Sequence, residues 1–380
     1  SPSMSRCHNH SPHMGLLLVL CLLSGCQPPP SPERTAPNLA YHRARNAIAQ
    51  ERFDWARIYF RQDLQQHPDR VESLRLEGMS WLSGYQQSLT TGSELLARYL
   101  ARYPDDEPIK LQLVRTLLLI GDRDHARVWA GRLRDSAAAN LIQAEVALLA
   151  DPDAARVAIE QAVARLATLP PEEYHLQSRI HVLAAQIYER LEDPTRALTH
   201  ALEAVRLNPL EYGVFYQLGR LWRATGQTEH IATTLETYQI VSRLQQDGTR
   251  TRLTPTEELA TLRQLEPRIA RDSYEFRRRK LSLLLQTDQV AEGADLLHVL
   301  RRDPRTTLAD LLTYGKWADE SGRRSLSEEL FTQALEREPE SPGALASLAY
   351  LRHQAGDSAA ARAYLTRGLA RDPFFARYHH

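Results

Sequence analysis

Cys7-His8-Asn9-His10, with His13 three residues further on, brings together the thiolate and imidazole donors that hold zinc. The cluster stands just before an apolar run, Met14-Gly-Leu-Leu-Leu-Val-Leu-Cys-Leu-Leu-Ser-Gly-Cys26, so it is expected in a segment that is cut away, and no metal site is assigned to it. Cys7, Cys21 and Cys26 are the only three cysteines, which leaves the rest of the chain without a thiol nucleophile or a disulfide. No HExxH, no phosphate-cradling glycine loop and no Gly-x-Ser-x-Gly elbow occurs. Paired carboxylates, the raw material of acid–base catalysis, occur at Glu172-Glu173, Glu257-Glu258 and Glu328-Glu329. Each pair falls near a predicted helix start, where the helix dipole favours negative charge and explains it without catalysis. Arg277-Arg278-Arg279-Lys280, with Arg268 and Arg271 nearby, is the densest basic run. Four consecutive helical residues point around the whole cylinder, so a solvated face is expected, with an anionic partner as the alternative. The chemistry left is recognition: no enzyme activity, no cofactor and no metal is expected.

The elements that must position these residues are helical. The 380 residues are 43% hydrophobic but only 7% aromatic, and Ala, Leu, Arg, Glu and Gln dominate. Basic and acidic residues balance at 47 each, so no net field draws the chain to nucleic acid, and no nucleic-acid partner is expected. Lys110, Lys280 and Lys316 are the only lysines, so 44 of the basic residues are arginine.

Small residues, glycines and prolines recur in phase about every thirty-four residues. The unit from Pro342 to Phe375 carries Leu345, Leu348 and Ala349 on a first helix, Gly356 at its end, Ala361, Leu365 and Gly368 on a second, and Pro373 as the stop. Leu308 to Ser341 repeats the marks with Gly315, Gly322, Phe331, Ala334 and Pro339. So do Tyr212 onward (Leu218, Gly219, Trp222, Gly226, Leu235, Tyr238), Ser178 to Glu211 (Ala185, Tyr188, Ala197, Ala201, Ala204, Pro209) and Pro37 to Arg70 (Ala44, Ala47, Ala56, Phe60, Pro68). Degenerate copies follow Val71, Glu107, Ser136 and Ser273. Small residues at the eighth and twentieth positions let the two helices of a hairpin approach, and proline ends the second. This spacing resembles the tetratricopeptide repeat, which implies an all-α, right-handed α-solenoid of about nine hairpins. One break is visible: Gln245 to Arg252 has no periodicity, and Thr254-Pro255-Thr256-Glu257 then reads as a capped helix start.

The apolar run from Gly15 to Leu23 is far shorter than the roughly 20 residues that span a bilayer. Leu23-Ser24-Gly25-Cys26 resembles the lipobox of bacterial lipoproteins, which implies cleavage before Cys26, its lipidation and a firm membrane anchor. Gln27 stands where an aspartate would mark retention at the inner membrane, so the resemblance implies the outer membrane, facing the periplasm. The expected organisation is a signal peptide at 1–25, a Pro-rich tether at 26–37, repeats at 38–246, an irregular loop and helix at 247–272 and repeats at 273–380.

In the tetratricopeptide family, five positions of each first helix line a concave groove. Carried onto this chain they are Arg179, Val182, Gln186, Glu189 and Arg190, then Gly213, Tyr216, Arg220, Arg223 and Ala224. Arg179, Gln186, Arg190, Tyr216, Arg220 and Arg223 form the candidate partner-binding groove. Four arginines and a tyrosine would suit a carboxylate, an acidic peptide or an anionic glycan. The lysines and asparagines of the family's chaperone-tail clamp are missing here. A scaffold that positions envelope proteins or peptides is therefore expected, with direct binding of an anionic polysaccharide as the alternative. Tetratricopeptide lipoproteins include pilotins for secretins, polysaccharide-export scaffolds and adaptors for peptidoglycan enzymes, and nothing in the residues selects among them.

Overall fold

A computed structural model describes residues 39–371, apart from 50–52, 69, 82–85, 149, 245–252, 271 and 288. Cys26, the Cys7 to His13 cluster, the tether, Arg271, Phe374 and Phe375 lie outside the described residues. Among the described residues there are nineteen α-helices and no strand. They pair as α1 (Leu39–Ala49) with α2 (Phe53–Gln66), α3 (Val71–Trp81) with α4 (Gln86–Arg102), and α5 (Glu107–Leu119) with α6 (Arg123–Ala130). Then come α7 (Ala137–Ala147) with α8 (Pro152–Ala164), α9 (Tyr174–Arg190) with α10 (Pro194–Leu207), and α11 (Tyr212–Ala224) with α12 (Ile231–Leu244). A single helix α13 (Pro255–Leu265) precedes α14 (Tyr274–Gln286) with α15 (Val290–Leu300), α16 (Leu308–Glu320) with α17 (Arg324–Arg337), and α18 (Pro342–Gln354) with α19 (Ser358–Arg371). Among the described residues the nine hairpins make an all-α fold of the solenoid type. The residues fall into two compact units, one of the chain up to Ser73 with Leu308 onward, the other Leu74–Thr307.

Local chemistry sets the helix limits. The side chains of Asp106, Asp122, Ser136, Asp151 and Asp193 each accept the N–H three residues on, and Pro152 and Pro194 start α8 and α10 without wasting a donor. At Thr254 the full capping box forms: its hydroxyl takes the Glu257 N–H while the Glu257 carboxylate takes the Thr254 N–H at 2.8 Å. First helices end in a left-handed turn at Gly121, Gly226, Gly322 and Gly356, with φ between 73° and 82°. The next N–H then reaches five residues back, as from Asp122 to Leu117 O (2.9 Å) and from Gln227 to Trp222 O (2.9 Å). The α9–α10 turn has no glycine, and Glu192 takes the left-handed role at φ 59°.

Within hairpins the small positions are buried: Ala185, Ala197 and Ala201 are fully enclosed, and Gly315 lies so close to Phe331 that a Cβ would meet its ring at 2.6 Å. In the Leu74–Thr307 unit one core runs from Ala137 through Ile159, Ile187, Phe215 and Val241 to Leu284. The α11–α12 hairpin departs from the repeat marks. A one-turn 3-10 helix, Thr228–His230, precedes α12. Thr237, Ile240 and Val241 are the residues α12 buries, so Leu235, expected inside, is 41% exposed and Tyr238 only half-buried. In α19 Leu365 is half-buried and Leu369 is exposed.

Candidate functional site

The groove positions sit on α9 and α11, whose exposed faces carry Arg179, Gln186, Arg190, Tyr216, Arg220 and Arg223. They do not form an open cluster of cations. Arg179 Nη2 donates to Glu145 Oε1 of α7 at 2.6 Å, and half-buried Arg115 of α5 feels the charges of both. Burial, and then the charge of Arg179, lower the pKa of Arg115, while Glu145 opposes the change. Arg190 Nη1 donates to the Leu148 carbonyl at 3.1 Å. Arg220 Nη2 and Gln217 Nε2 converge on Glu189 Oε2, at 3.1 and 2.9 Å. Three of the four arginines thus brace one hairpin against the one before it. Only Arg223, exposed on α11, has no hydrogen-bond or ionic partner among the described residues, and exposed Gln186 makes no hydrogen bond among them either.

The aromatic content is larger than the single tyrosine that the groove positions name. Tyr212 and Tyr216, one turn apart on α11, are 43% and 55% exposed. Tyr238 of α12 stands at 6.3 Å from the first ring and 6.1 Å from the second. Arg220 lies over the Tyr216 ring at 5.4 Å while Glu189 holds its other edge. Tyr212 and Tyr238 escaped the reading of groove positions because that rule counts neither the first residue of a helix nor any residue of the second helix. The signal available was three tyrosines within twenty-seven residues of one unit.

The basic run is compensated throughout. Arg277 pairs with Asp303 (3.2 Å), Arg278 with Glu275 (3.0 Å), Arg279 with Glu258, and Lys280 with both Glu266 (3.1 Å) and Glu292 (2.9 Å). It is a bracing network, not a solvated face. Glu257-Glu258 lies in the first turn of α13, but Glu328-Glu329 lies a turn inside α17, and Glu328 pairs with Arg352. Among the described residues no three His, Cys, Asp or Glu side chains are placed to hold a metal ion. No described helix is long and apolar enough to cross a membrane.

The fold and this surface define a helical-hairpin repeat protein with an exposed tyrosine–arginine face. The sequence profile of the Tetratricopeptide repeat family matches residues 320–380. No curated protein matches the chain significantly. Among solved structures, the human IFIT1 dimer with m7Gppp-AAAA is similar at 12% identity and a TM-score of 0.34, covering 86% of this chain and 80% of that one. PilF of Pseudomonas aeruginosa is similar at 16% identity and a TM-score of 0.28, covering 66% of this chain and 97% of that one. The TPR domain of P58(IPK) is similar at 14% identity and a TM-score of 0.24, covering 89% and 93%.

Proposed function

We propose that this chain is a lipid-anchored scaffold of a bacterial envelope, which binds and positions other proteins through the exposed face of α9 and α11. The observation that carries the binding surface is the row Tyr212, Tyr216, Arg220 and Arg223, aligned along α11 and exposed. Tyrosine and arginine are the residues that dominate binding energy at protein interfaces, and here the brace from Glu189 holds Arg220 over the Tyr216 ring before any partner arrives. The pairing of Arg179 and Arg220 with carboxylates removes the excess positive charge that an anionic polysaccharide would need, and so favours a polypeptide partner. Binding, without catalysis, is the role. The anchor at Cys26 and the periplasmic face of the outer membrane rest on Leu23-Ser24-Gly25-Cys26 and Gln27.

Two experiments test this. Affinity purification of the full chain from its envelope should recover a partner that the double variant Tyr216→Ala, Arg223→Glu loses while keeping wild-type helicity; equal recovery by the variant contradicts the surface. Cys26→Ala should release the protein from the membrane fraction, and an intact mass that still includes residues 1–25 in the mature protein contradicts the anchor.

A further inference from the structure

We propose that the three-tyrosine shelf on α11 and α12 is a docking site for an extended, proline-rich polypeptide segment with an acidic residue after the prolines, a ligand class that rests on the scaffold reading above. The Tyr238 ring packs against those of Tyr212 and Tyr216, at 6.3 and 6.1 Å between centroids and tilted by 41° and 49°, so the three form one continuous aromatic shelf. The shelf exists because α12 buries Thr237, Ile240 and Val241, which turns Tyr238 toward α11 and leaves Leu235 exposed beside it. Four other tyrosines direct their hydroxyls inward: Tyr99 to Asp106, Tyr174 to Glu275, Tyr188 to Glu160 and Tyr274 to Thr306. The hydroxyls of Tyr212, Tyr216 and Tyr238 make no hydrogen bond among the described residues, so these three donors are left for a ligand.

A polyproline II segment complements such a shelf. It has no internal hydrogen bonds, so its carbonyls are free to accept from tyrosine hydroxyls. Its pyrrolidine rings are flat enough to lie on the exposed faces of aromatic rings, and its fixed backbone loses little entropy on binding. Helices offer no open strand edge, which removes strand addition as a mode of binding here. Charge sets the polarity of the ligand. Arg223 lies seven residues beyond Tyr216 on the same face, a rise of about 10 Å. An extended segment covers that distance in about three residues at roughly 3.1 Å each, which places an acidic side chain against Arg223, the groove arginine without a partner among the described residues. Arg220 is already held by Glu189, so it fixes the Tyr216 ring and does not compete for the ligand's charge.

The test is fluorescence anisotropy of the full chain with a labelled hexapeptide of five prolines and a terminal glutamate. Saturable binding is expected, weakened by about tenfold or more in Tyr216→Ala and in Tyr238→Ala, each of which removes one ring of the shelf. Arg223→Ala should weaken the glutamate peptide by roughly fivefold and leave its glutamine analogue unchanged. Tyr103→Ala, at an exposed tyrosine stacked on Tyr99 away from the shelf, should change nothing. No saturable binding by the wild type, equal binding of a glycine–serine hexapeptide ending in glutamate, or undiminished binding in Tyr216→Ala overturns the proposal. A uronic-acid oligosaccharide that needs the same tyrosines while the hexapeptide fails to bind also overturns it, and gives the shelf to glycan. If the hexapeptide fails but a protein partner is still lost in Tyr216→Ala, Arg223→Glu, the ligand class is wrong and the scaffold stands; if both fail, the scaffold reading falls with it.

Discussion

Tyr174 at the start of α9 donates its hydroxyl to Glu275 Oε2 on α14 at 2.6 Å, a bond that joins residues 101 positions apart. Glu275 also receives both a guanidinium N–H pair from Arg278 and the proximity of His175 at 3.6 Å. Tyr274 stacks edge-on against Tyr174 with centroids 5.1 Å apart and donates to Thr306 at 3.1 Å. Burial, and then the bond to Glu275, push the Tyr174 phenol well above the usual tyrosine range. α14 thus meets the start of α9.

Removing that hydroxyl should be costly because it leaves a buried carboxylate short of one donor. Tyr174→Phe is expected to lower stability by about 2 kcal/mol, the range for hydrogen bonds to charged groups. Urea unfolding followed by circular dichroism measures it. A change within error would mean that Arg278 alone satisfies Glu275.

The left-handed turn at Glu192 carries strain that a glycine would relieve. An L-residue in this region costs about 1–2 kcal/mol, against roughly 0.5–1 kcal/mol for the added freedom of glycine in the unfolded chain. Glu192→Gly should therefore raise the midpoint of urea unfolding slightly, by about 0.5–1 kcal/mol of stability. Gly226→Ala, at φ 76°, should move it the other way.

Two glycines at the same repeat position should respond oppositely to alanine. At Gly315 the new Cβ would sit 2.6 Å from the Phe331 ring, so Gly315→Ala must displace a buried aromatic and should cost about 1–3 kcal/mol. At Gly219 the nearest atom is Leu235 Cδ2 at 3.7 Å, ordinary contact, so Gly219→Ala should be neutral or gain up to about 1 kcal/mol of helix propensity. Thermal melting of the two variants side by side decides it.

Acid should loosen the α9–α10 hairpin. His181 Nδ1 meets His200 Nδ1 at 2.9 Å, and His200 stacks on Tyr188 at 5.5 Å between ring centroids. Burial, and then the charge of His200, hold His181 down at about 4, while Glu203 opposes and Arg206 reinforces the shift. Burial and Arg196 lower His200 as well, again against Glu203. A histidine whose folded pKa lies below its unfolded value leaves the unfolded state holding more protons in between. The associated stability is complete above about pH 6.5 and is lost as pH falls towards 4, by up to roughly 3 kcal/mol for His181. His181→Asn should flatten the pH dependence of stability between these limits; an unchanged slope would place the titration elsewhere.

The sequence shows most of this fold because its marks act locally. The Thr254 capping box, the turn glycines and the buried alanines follow from residues a few positions apart. What it does not show lies one repeat away or more. Arg179 and Glu145 are 34 residues apart, and Arg220 and Glu189 are 31 apart, so four arginines read as an open cationic groove where the structure has braces. Leu235 and Tyr238 fall at repeat positions that are normally inward, and the 3-10 turn before α12 accompanies the outward placement that no local rule announces. Glu192 was silent for the opposite reason, since a turn without its glycine leaves no mark at all.

The most direct test of the account is site-specific photocrosslinking in cells, with a benzophenone side chain in place of Tyr216 in the full chain. A discrete polypeptide adduct is predicted from this position, and none from Leu202, which is comparably exposed at 43% but lies on α10 away from the tyrosine shelf. No polypeptide adduct from Tyr216, or the same adduct from Leu202, would contradict a protein-binding face on α11.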